Sequence, residues 1–234
     1  MKPQLLALSL CLLPLMAQAV YAQNTAATSD ARISAIPIEQ EPRHRLVFEN
    51  GHVRLFDVEL EPGYQSQYHW HRADGVFVNI AAAPTIAQDV GKQPVRRGER
   101  AIGETYFIDY GANPKAHRVA NAGNTPYRVV DAEILAGCGA AESAAQDAHQ
   151  SVLIDNARVR VTRIVLPPGK STQLPAPCGM LIAVSAAKLR LETPAGAHLL
   201  DMPIAGFDWR QHTGSVSLVN SGPSEFHGVD IRLK

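Results

Sequence analysis

Two histidines one residue apart, His69 and His71, are the residues of this sequence best suited to chemistry. They follow a turn at Pro62-Gly63 and lie among β-forming aromatic residues, so we expect them on a strand. Side chains at positions i and i+2 of a strand point to the same face, so both imidazoles would aim at one point. Imidazole is the commonest metal ligand in proteins. The spacing therefore predicts half of a metal site, although two exposed or hydrogen-bonded histidines would show the same pattern.

Short strands and turns are predicted to position these side chains. The pattern favours strands at 53–60, 75–80, 104–108 and 127–130, each ended by turn-forming residues. The 17 glycines and 16 prolines interrupt the chain too often for long helices. Strands at such regular spacing are typical of an all-β sandwich or barrel. The one helix candidate, an alanine-rich stretch at 140–150, lies where a linker is expected.

An internal repeat divides the chain. Segments 50–63 and 156–169 both begin with asparagine, continue with Val-Arg and end with Pro-Gly, while Asn121 and Asn220 each precede a last strand. The repeat predicts two similar β units, 41–136 and 151–234, joined by a linker at 137–150.

The first 22 residues have the pattern of a signal peptide. Lys2 supplies a positive charge, an apolar run follows that is too short to span a bilayer, and small residues precede a cleavage point after Ala22. We expect bacterial export to the periplasm or beyond, with no membrane attachment afterwards and a flexible lead-in at 23–40. Cleavage removes Cys11, and an exported location would allow Cys138 and Cys178 to form a disulfide or remain free thiols.

Composition excludes several functions. Lys and Arg total 22, as do Asp and Glu, so there is no excess positive charge to bind nucleic acid or an anionic membrane. Phosphate-binding glycine loops, nucleophile elbows and zinc-protease helices have no match in the sequence.

Unit 41–136 resembles a cupin, a double-sheet jelly-roll barrel. Gly63, His69 and His71 keep the spacing of the first cupin motif, and His117 and Asn121 keep the final spacing of the second. The resemblance implies an all-β fold of two tandem cupin-type barrels, with His69, His71 and His117 as metal ligands. The glutamate of the first motif is missing, because its place falls on Gly75 or Val76. Asp74 is one residue out of step and is expected at the rim of the barrel.

Three neutral imidazoles restrict the chemistry. They leave the charge of a divalent ion uncompensated, which favours an anionic further ligand such as hydroxide or a substrate carboxylate, enolate or thiolate. They suit Fe(II) first, with Zn(II), Mn(II), Ni(II) and Cu(II) as alternatives. Three-histidine cupin sites resemble those of iron-dependent dioxygenases, so an oxygenase acting on a small organic molecule is the leading prediction. A non-catalytic protein that binds a metal or small ligand, and a metal-dependent lyase or isomerase, remain open.

Strand alternation suggests the surroundings of the site. Gln65 and Gln67 would share a face with the two histidines, and Phe77 and Asn79 would share the face of Gly75, which makes these four the candidate substrate-pocket residues. Asn121 is expected to cap a turn through its side chain.

The second unit lacks the ligands. Pro175, Pro177 and Val216 fall on the three histidine positions, so we expect a degenerate barrel that binds no metal. The remaining histidines have no partner at ligand spacing and are expected on the surface or in the core: His44, His52, His149, His198, His212 and His227. A homodimer is expected from the resemblance.

Overall fold

The structure, a computed structural model, describes residues 34–139, 147–175, 177–212 and 214–234. The predicted signal peptide and residues 140–146 of the helix candidate lie outside them. Where that candidate segment is described, residues 147–149 form a turn and Gln150 begins a strand, so its end is not helical. Within the described ranges, no helix is long and apolar enough to cross a membrane.

Between residues 34 and 139, the described part of the first half has ten strands and one turn of 3-10 helix, Ile38–Gln40. The strands are β1 (Ile36–Pro37), β2 (His44–Glu49), β3 (Val53–Leu60), β4 (His69–His71), β5 (Asp74–Ala81), β6 (Thr85–Asp89), β7 (Val95–Arg97), β8 (Thr105–Ile108), β9 (Lys115–Asn121) and β10 (Tyr127–Ile134). They form two sheets that face each other as a barrel. The histidine sheet has the order β1-β4-β9-β6-β7, and the acidic sheet has the order β2-β3-β10-β5-β8.

Among the residues described from 147 to 234, nine strands form the second half. They are β11 (Gln150–Asp155), β12 (Val159–Leu166), β13 (Ser171–Leu174), β14 (Cys178–Ala183), β15 (Ala187–Thr193), β16 (Gly196–Met202), β17 (Phe207–Gln211), β18 (Val216–Asn220) and β19 (Phe226–Leu233). One sheet has the order β11-β12-β19-β14-β17 and the other β13-β18-β15-β16. The predicted all-β architecture of two tandem barrels is confirmed.

The core between the barrels explains why some strands are apolar on both faces. Along β10, Val130, Ala132 and Ile134 point out of the first barrel and share a hydrophobic cluster with residues of the second, among them Met180 and Ile231. The intervening residues of β10 point into the first barrel instead. The acidic sheet and the β11-β12-β19-β14-β17 sheet, which meet at this core, are thus buried on both faces, as the near-continuous hydrophobic runs of their strands require.

The repeat is visible in matching hydrogen bonds. The side-chain amide of Asn121 donates to the carbonyl oxygens of Leu60 and Thr125, both at 2.8 Å. The side chain of Asn220 donates to Leu166 and Ser224 at 2.8 and 2.7 Å.

Two glycines extend the match. The Gly63 amide donates to the Asn121 carbonyl, and the Gly169 amide donates to the Asn220 carbonyl. Both glycines have positive φ, 78° and 72°, which favours glycine at these turns. The prediction that Asn121 holds a turn through its side chain agrees with these contacts.

Apolar side chains fill one part of the interior of the second barrel, while the charged residues Asp230 and Arg232 line another. Leu174, Leu189, Val216, Leu218 and Phe226 pack together there and are almost completely buried. Val216, at the position that corresponds to His117, therefore belongs to a packed core. This packing stabilises the barrel and provides no metal ligands.

Candidate metal centre

Two neighbouring strands bring the three predicted ligands together. β4 and β9 pair antiparallel with His69 opposite His117, so the two side chains project from adjacent positions on one face. The ring centroids of His69, His71 and His117 are 4.9 to 5.1 Å apart in all three pairs. His69 and His71 are buried. The two-residue spacing and the strand register together bring the three rings side by side, although His117 is not in the group whose ligand atoms all lie within 4.8 Å of one another.

A fourth histidine joins the cluster. His44, on β2 of the opposite sheet, has its ring centroid 4.2 Å from that of His69. One ligand atom from each of His44, His69 and His71 lies within 4.8 Å of the others. The expectation that His44 has no ligand partner is therefore wrong: it is buried as expected, but within the candidate site. Its approach depends on how the two sheets close on each other, which sequence spacing does not record.

Hydrogen bonds fix the orientation of two of these rings. Nδ1 of His44 lies 2.7 Å from Oε2 of Glu41, and Nδ1 of His69 lies 2.8 Å from the Gln67 carbonyl oxygen. An acceptor at Nδ1 holds the proton there and leaves the Nε2 lone pair free for a metal. Nε2 of His69 is buried and has no hydrogen-bond partner among the described residues. A buried nitrogen without a partner is costly unless it has another function, and coordination of an ion is such a function.

Burial keeps the rings neutral. Burial, and then the neighbouring His44, lowers the pKa of His69 to about 3. Burial, and then His69, lowers the pKa of His117 to about 3. The pKa of His71 falls well below its usual range, mainly through burial and then through His117. The rings are therefore neutral at physiological pH, as metal coordination requires.

A cavity of about 70 Å³ adjoins the rings. Its walls include the aromatic residues Phe77, Tyr106 and Tyr110, and Tyr110 stacks on His71 with centroids 4.6 Å apart. Arg97 and Arg100 line it from the segment that follows β6. At roughly 10–15 Å³ for each water-sized group, the space holds about five or six such groups. The guanidinium of Arg100 is also paired with Glu104.

The four predicted pocket residues are not all placed as expected. Phe77 lines the cavity, but the side chains of Gln65 and Gln67 are exposed and lie outside it. The prediction for both glutamines is corrected because regular strand geometry begins only at His69, so alternation does not extend back to them.

Asn79 is buried but has a supporting position. Its side chain donates to the carbonyl oxygens of Arg100 and Ala101 at 2.8 and 3.1 Å, and it does not line the cavity. It therefore holds the segment that carries Arg100.

The position of the missing cupin glutamate is closed. A Cβ atom at Gly75 would lie 2.8 Å from the ring of Phe77 and 3.2 Å from Oδ1 of Asp131. Asp74 is engaged elsewhere, since it accepts hydrogen bonds from Arg158 at 2.9 Å and from the Gly111 amide at 3.0 Å. It sits at the rim, as expected.

Sequence reasoning missed Asp131. This residue of β10 is fully buried, lines the cavity and has Oδ2 3.6 Å from Nδ1 of His71. Burial, and then the neighbouring Glu133, raises the pKa of Asp131 well above its usual range. The available signal was a pair of acidic residues in a strand whose other residues are mostly apolar.

A second cluster involves the cysteines. Cys138 and Cys178 form a disulfide with Cα atoms 6.2 Å apart, and His52 lies beside them. Both sulfurs are bonded to each other, so this cluster offers no thiolate ligand in the disulfide form.

Comparison with known proteins identifies the fold. No family sequence profile matches the chain, and no curated protein is similar enough in sequence to count as a relative. Solved structures do match. A cupin 2 conserved barrel domain protein from Leptotrichia buccalis is 10% identical, with a TM-score of 0.50 over 81% of this chain and 87% of its own. The chain has a two-barrel cupin fold.

Two further structures agree with this bicupin fold. YhaK from Escherichia coli is 17% identical, with a TM-score of 0.56 over 80% of this chain and 87% of its own. Oxalate decarboxylase from Lactobacillus farciminis is 10% identical, with a TM-score of 0.55 over 79% of this chain and 77% of its own. At these identities the likeness establishes the fold and not an activity. In the first barrel, His44, His69 and His71 form a group that could hold a metal ion.

Proposed function

We propose that this bicupin binds one divalent transition-metal ion in its first barrel and uses it to convert a small organic anion. His69, His71 and His117 hold the ion, and His44 stands beside them as a fourth imidazole. The observation that carries the proposal is the buried Nε2 of His69, which lies among neutral rings and has no hydrogen-bond partner in the described part of the chain. Such a nitrogen is an available electron-pair donor.

Fe(II) is the proposed ion and dioxygen the proposed co-substrate. Imidazole nitrogen suits iron, manganese, zinc, nickel and copper better than magnesium or calcium. When bound, Fe(II) would supply activation of dioxygen and polarisation of an anionic substrate. The protein contributes neutral ring nitrogens, which leave the positive charge of the ion available to an anion.

The cavity indicates the substrate class. Arg97 is exposed at its edge, and the guanidinium of Arg100 lies 4.2 Å from the ring centroid of Tyr106. Because Arg100 is already paired with Glu104, Arg97 is the cation that attracts an anion toward walls formed by Phe77, Tyr106 and Tyr110. The volume of about 70 Å³ limits the bound group to a few heavy atoms. We propose a small carboxylate, an enolised dicarbonyl compound or a small thiolate.

Metal loading and oxygen uptake test the proposal. Metal-stripped protein is loaded separately with Fe(II), Mn(II) and Zn(II), and oxygen consumption is recorded with members of the three substrate classes. The proposal predicts substrate-dependent uptake with Fe(II) alone, and its loss in His69→Asn. Arg97→Ala serves as a substrate-binding variant, with a raised KM and retained metal content. Stoichiometric metal with turnover but no oxygen uptake would favour a lyase or isomerase instead.

His44 favours one alternative function. If all four imidazoles bind the ion, fewer positions remain for substrate and dioxygen, and the protein would be a non-catalytic metal-binding cupin. X-ray absorption of the loaded protein separates the two cases, because it counts nitrogen neighbours. His44→Ala should then raise turnover if His44 competes with substrate, and should reduce only affinity if the role is binding.

We also propose that the mature protein is exported and forms a homodimer. The disulfide between Cys138 and Cys178 supports export, since such bonds persist in oxidising compartments. Fractionation of the native host and mass measurement of the purified protein in solution test the two proposals.

A further inference from the structure

The ring of His71 differs from its neighbours in the partner of Nδ1. In His44 and His69, Nδ1 has an oxygen acceptor at 2.7 and 2.8 Å. Nδ1 of His71 is buried and forms no hydrogen bond within the described residues. The oxygen that faces it is Oδ2 of Asp131, at 3.6 Å.

Asp131 is equally isolated. It is fully buried, and neither carboxylate oxygen has a hydrogen-bond partner among the residues described. A buried carboxylate without hydrogen bonds is strongly unfavourable. A closer approach of about half an ångström would bring it within hydrogen-bond distance of His71 and satisfy both groups.

Asp131 also lies beside the position where the first cupin motif would have its glutamate. The first cupin motif would put a glutamate at Gly75, and Oδ1 of Asp131 lies 3.2 Å from where a Cβ of Gly75 would be. Asp131 pairs with Phe77 across β5 and β10, two residues from Gly75. A carboxylate is therefore still present at this side of the site, but it comes from β10.

We propose that Asp131 is the positioning partner of His71, which accepts a hydrogen bond from Nδ1–H and directs Nε2 toward the metal. The inference rests on the proposed metal site. Asp131 faces Nδ1 of His71, and a partner at that nitrogen leaves Nε2 of the same ring for the ion. With Glu41 and the Gln67 carbonyl, it gives three rings of the cluster an oxygen acceptor each. Such partners fix ring orientation and tautomer.

Metal affinity of two matched variants tests the proposal. Asp131→Asn keeps the shape of the side chain but weakens the acceptor. Glu133→Gln is the control, because Glu133 is fully buried on the same face of β10 and contacts Arg54 at 2.6 Å instead of a histidine. Affinities for Co(II) and Zn(II) are measured by competition with a chromophoric chelator. We expect Asp131→Asn to weaken binding about 10- to 100-fold, and Glu133→Gln to change it less than about threefold.

Each outcome has a distinct meaning. Wild-type protein that binds neither ion overturns the proposed function itself. Wild-type binding with an unchanged affinity in Asp131→Asn, or an equal loss in both variants, overturns only the role of Asp131. X-ray absorption of the Co(II) form gives a further check, since loss of one oxygen neighbour in Asp131→Asn would make Asp131 a ligand and contradict the positioning role.

A nuclear magnetic resonance spectrum of the wild-type protein tests the role of Asp131 even if a variant does not fold. In the zinc-loaded protein labelled with nitrogen-15, we expect the His71 ring to carry its proton on Nδ1 and to exchange it slowly with water. A proton on Nε2 of His71 would overturn the proposal.

Discussion

Acid should destabilise the metal-free protein because the fold holds His69 neutral. Its pKa is about 3 in the folded protein, against an ordinary value of 6.5. As the pH falls through the ordinary value, the unfolded chain gains a proton that the folded protein does not accept. The free energy of unfolding therefore decreases between these two pH values and levels off below the lower one. At about pH 4.5, which is about two pH units below the ordinary pKa, this one ring lowers the free energy of unfolding by about 3 kcal/mol, since each pH unit contributes about 1.4 kcal/mol.

Comparison with His69→Asn isolates the effect. The asparagine keeps a donor for the Gln67 carbonyl but does not titrate. Other groups with shifted pKa values, such as Asp131, whose raised pKa favours the folded protein at low pH, are present in both proteins. Urea unfolding of metal-stripped protein at about pH 7.5 and about pH 4.5 should show that the wild type loses about 3 kcal/mol more than the variant. Equal losses of unfolding free energy in the two proteins would show that the fold does not hold His69 neutral.

Four further variants test other parts of the structure. Asn121→Ala and Asn220→Ala should each lower the free energy of unfolding by about 2–3 kcal/mol in urea, because each leaves buried carbonyl oxygens without a donor; a neutral result at either site would contradict the matching roles. Glu41→Gln should change the affinity for Zn(II) less than about threefold by titration calorimetry, since the ring that Glu41 orients is His44, which stands beside the three ligands; a tenfold loss would make His44 a ligand. Serine at both Cys138 and Cys178 should cost about 4 kcal/mol, because the disulfide closes a loop of 40 residues; an unchanged unfolding midpoint would show that the bond does not stabilise the fold.

Local sequence patterns were sufficient to predict β3, β5, β8 and β10 and three of the four clustered histidines. β3 has the predicted bounds because its hydrophobic pattern ends at a Pro-Gly turn. His69 and His71 share a face because they are two residues apart on a strand, and the motif spacing placed His117 with them. The matching environments of Asn121 and Asn220 follow from the repeat.

Contacts between distant strands could not be predicted in the same way. His44 reaches His69 only because β2 lies in the sheet opposite β4, and nothing in the spacing of the two residues indicates this. The nearness of Asp131 to Gly75 depends on the register of β5 against β10. Gln67 was wrongly predicted to share a face with the histidines, because strand alternation was assumed for residues that precede β4.

The two barrels divide structure and chemistry between them. The first has a histidine cluster and an adjoining cavity, whereas the second has an apolar cluster that includes Val216, at the position that corresponds to His117. Their facing sheets share one hydrophobic core, so the second barrel supports the strands β3, β5 and β10 from behind. We infer that its contribution to the site is rigidity, because a site held by packed strands keeps its geometry.

Anomalous diffraction from crystals loaded with a single transition metal shows directly whether His69, His71 and His117 bind an ion. Data collected at the absorption edge of the ion locate it without reference to activity. For the proposed site we predict one peak per chain in the first barrel, within bonding distance of His69, His71 and His117. A second barrel without a peak is part of the same prediction. No peak among these rings, or a peak beside His52 instead, would contradict it.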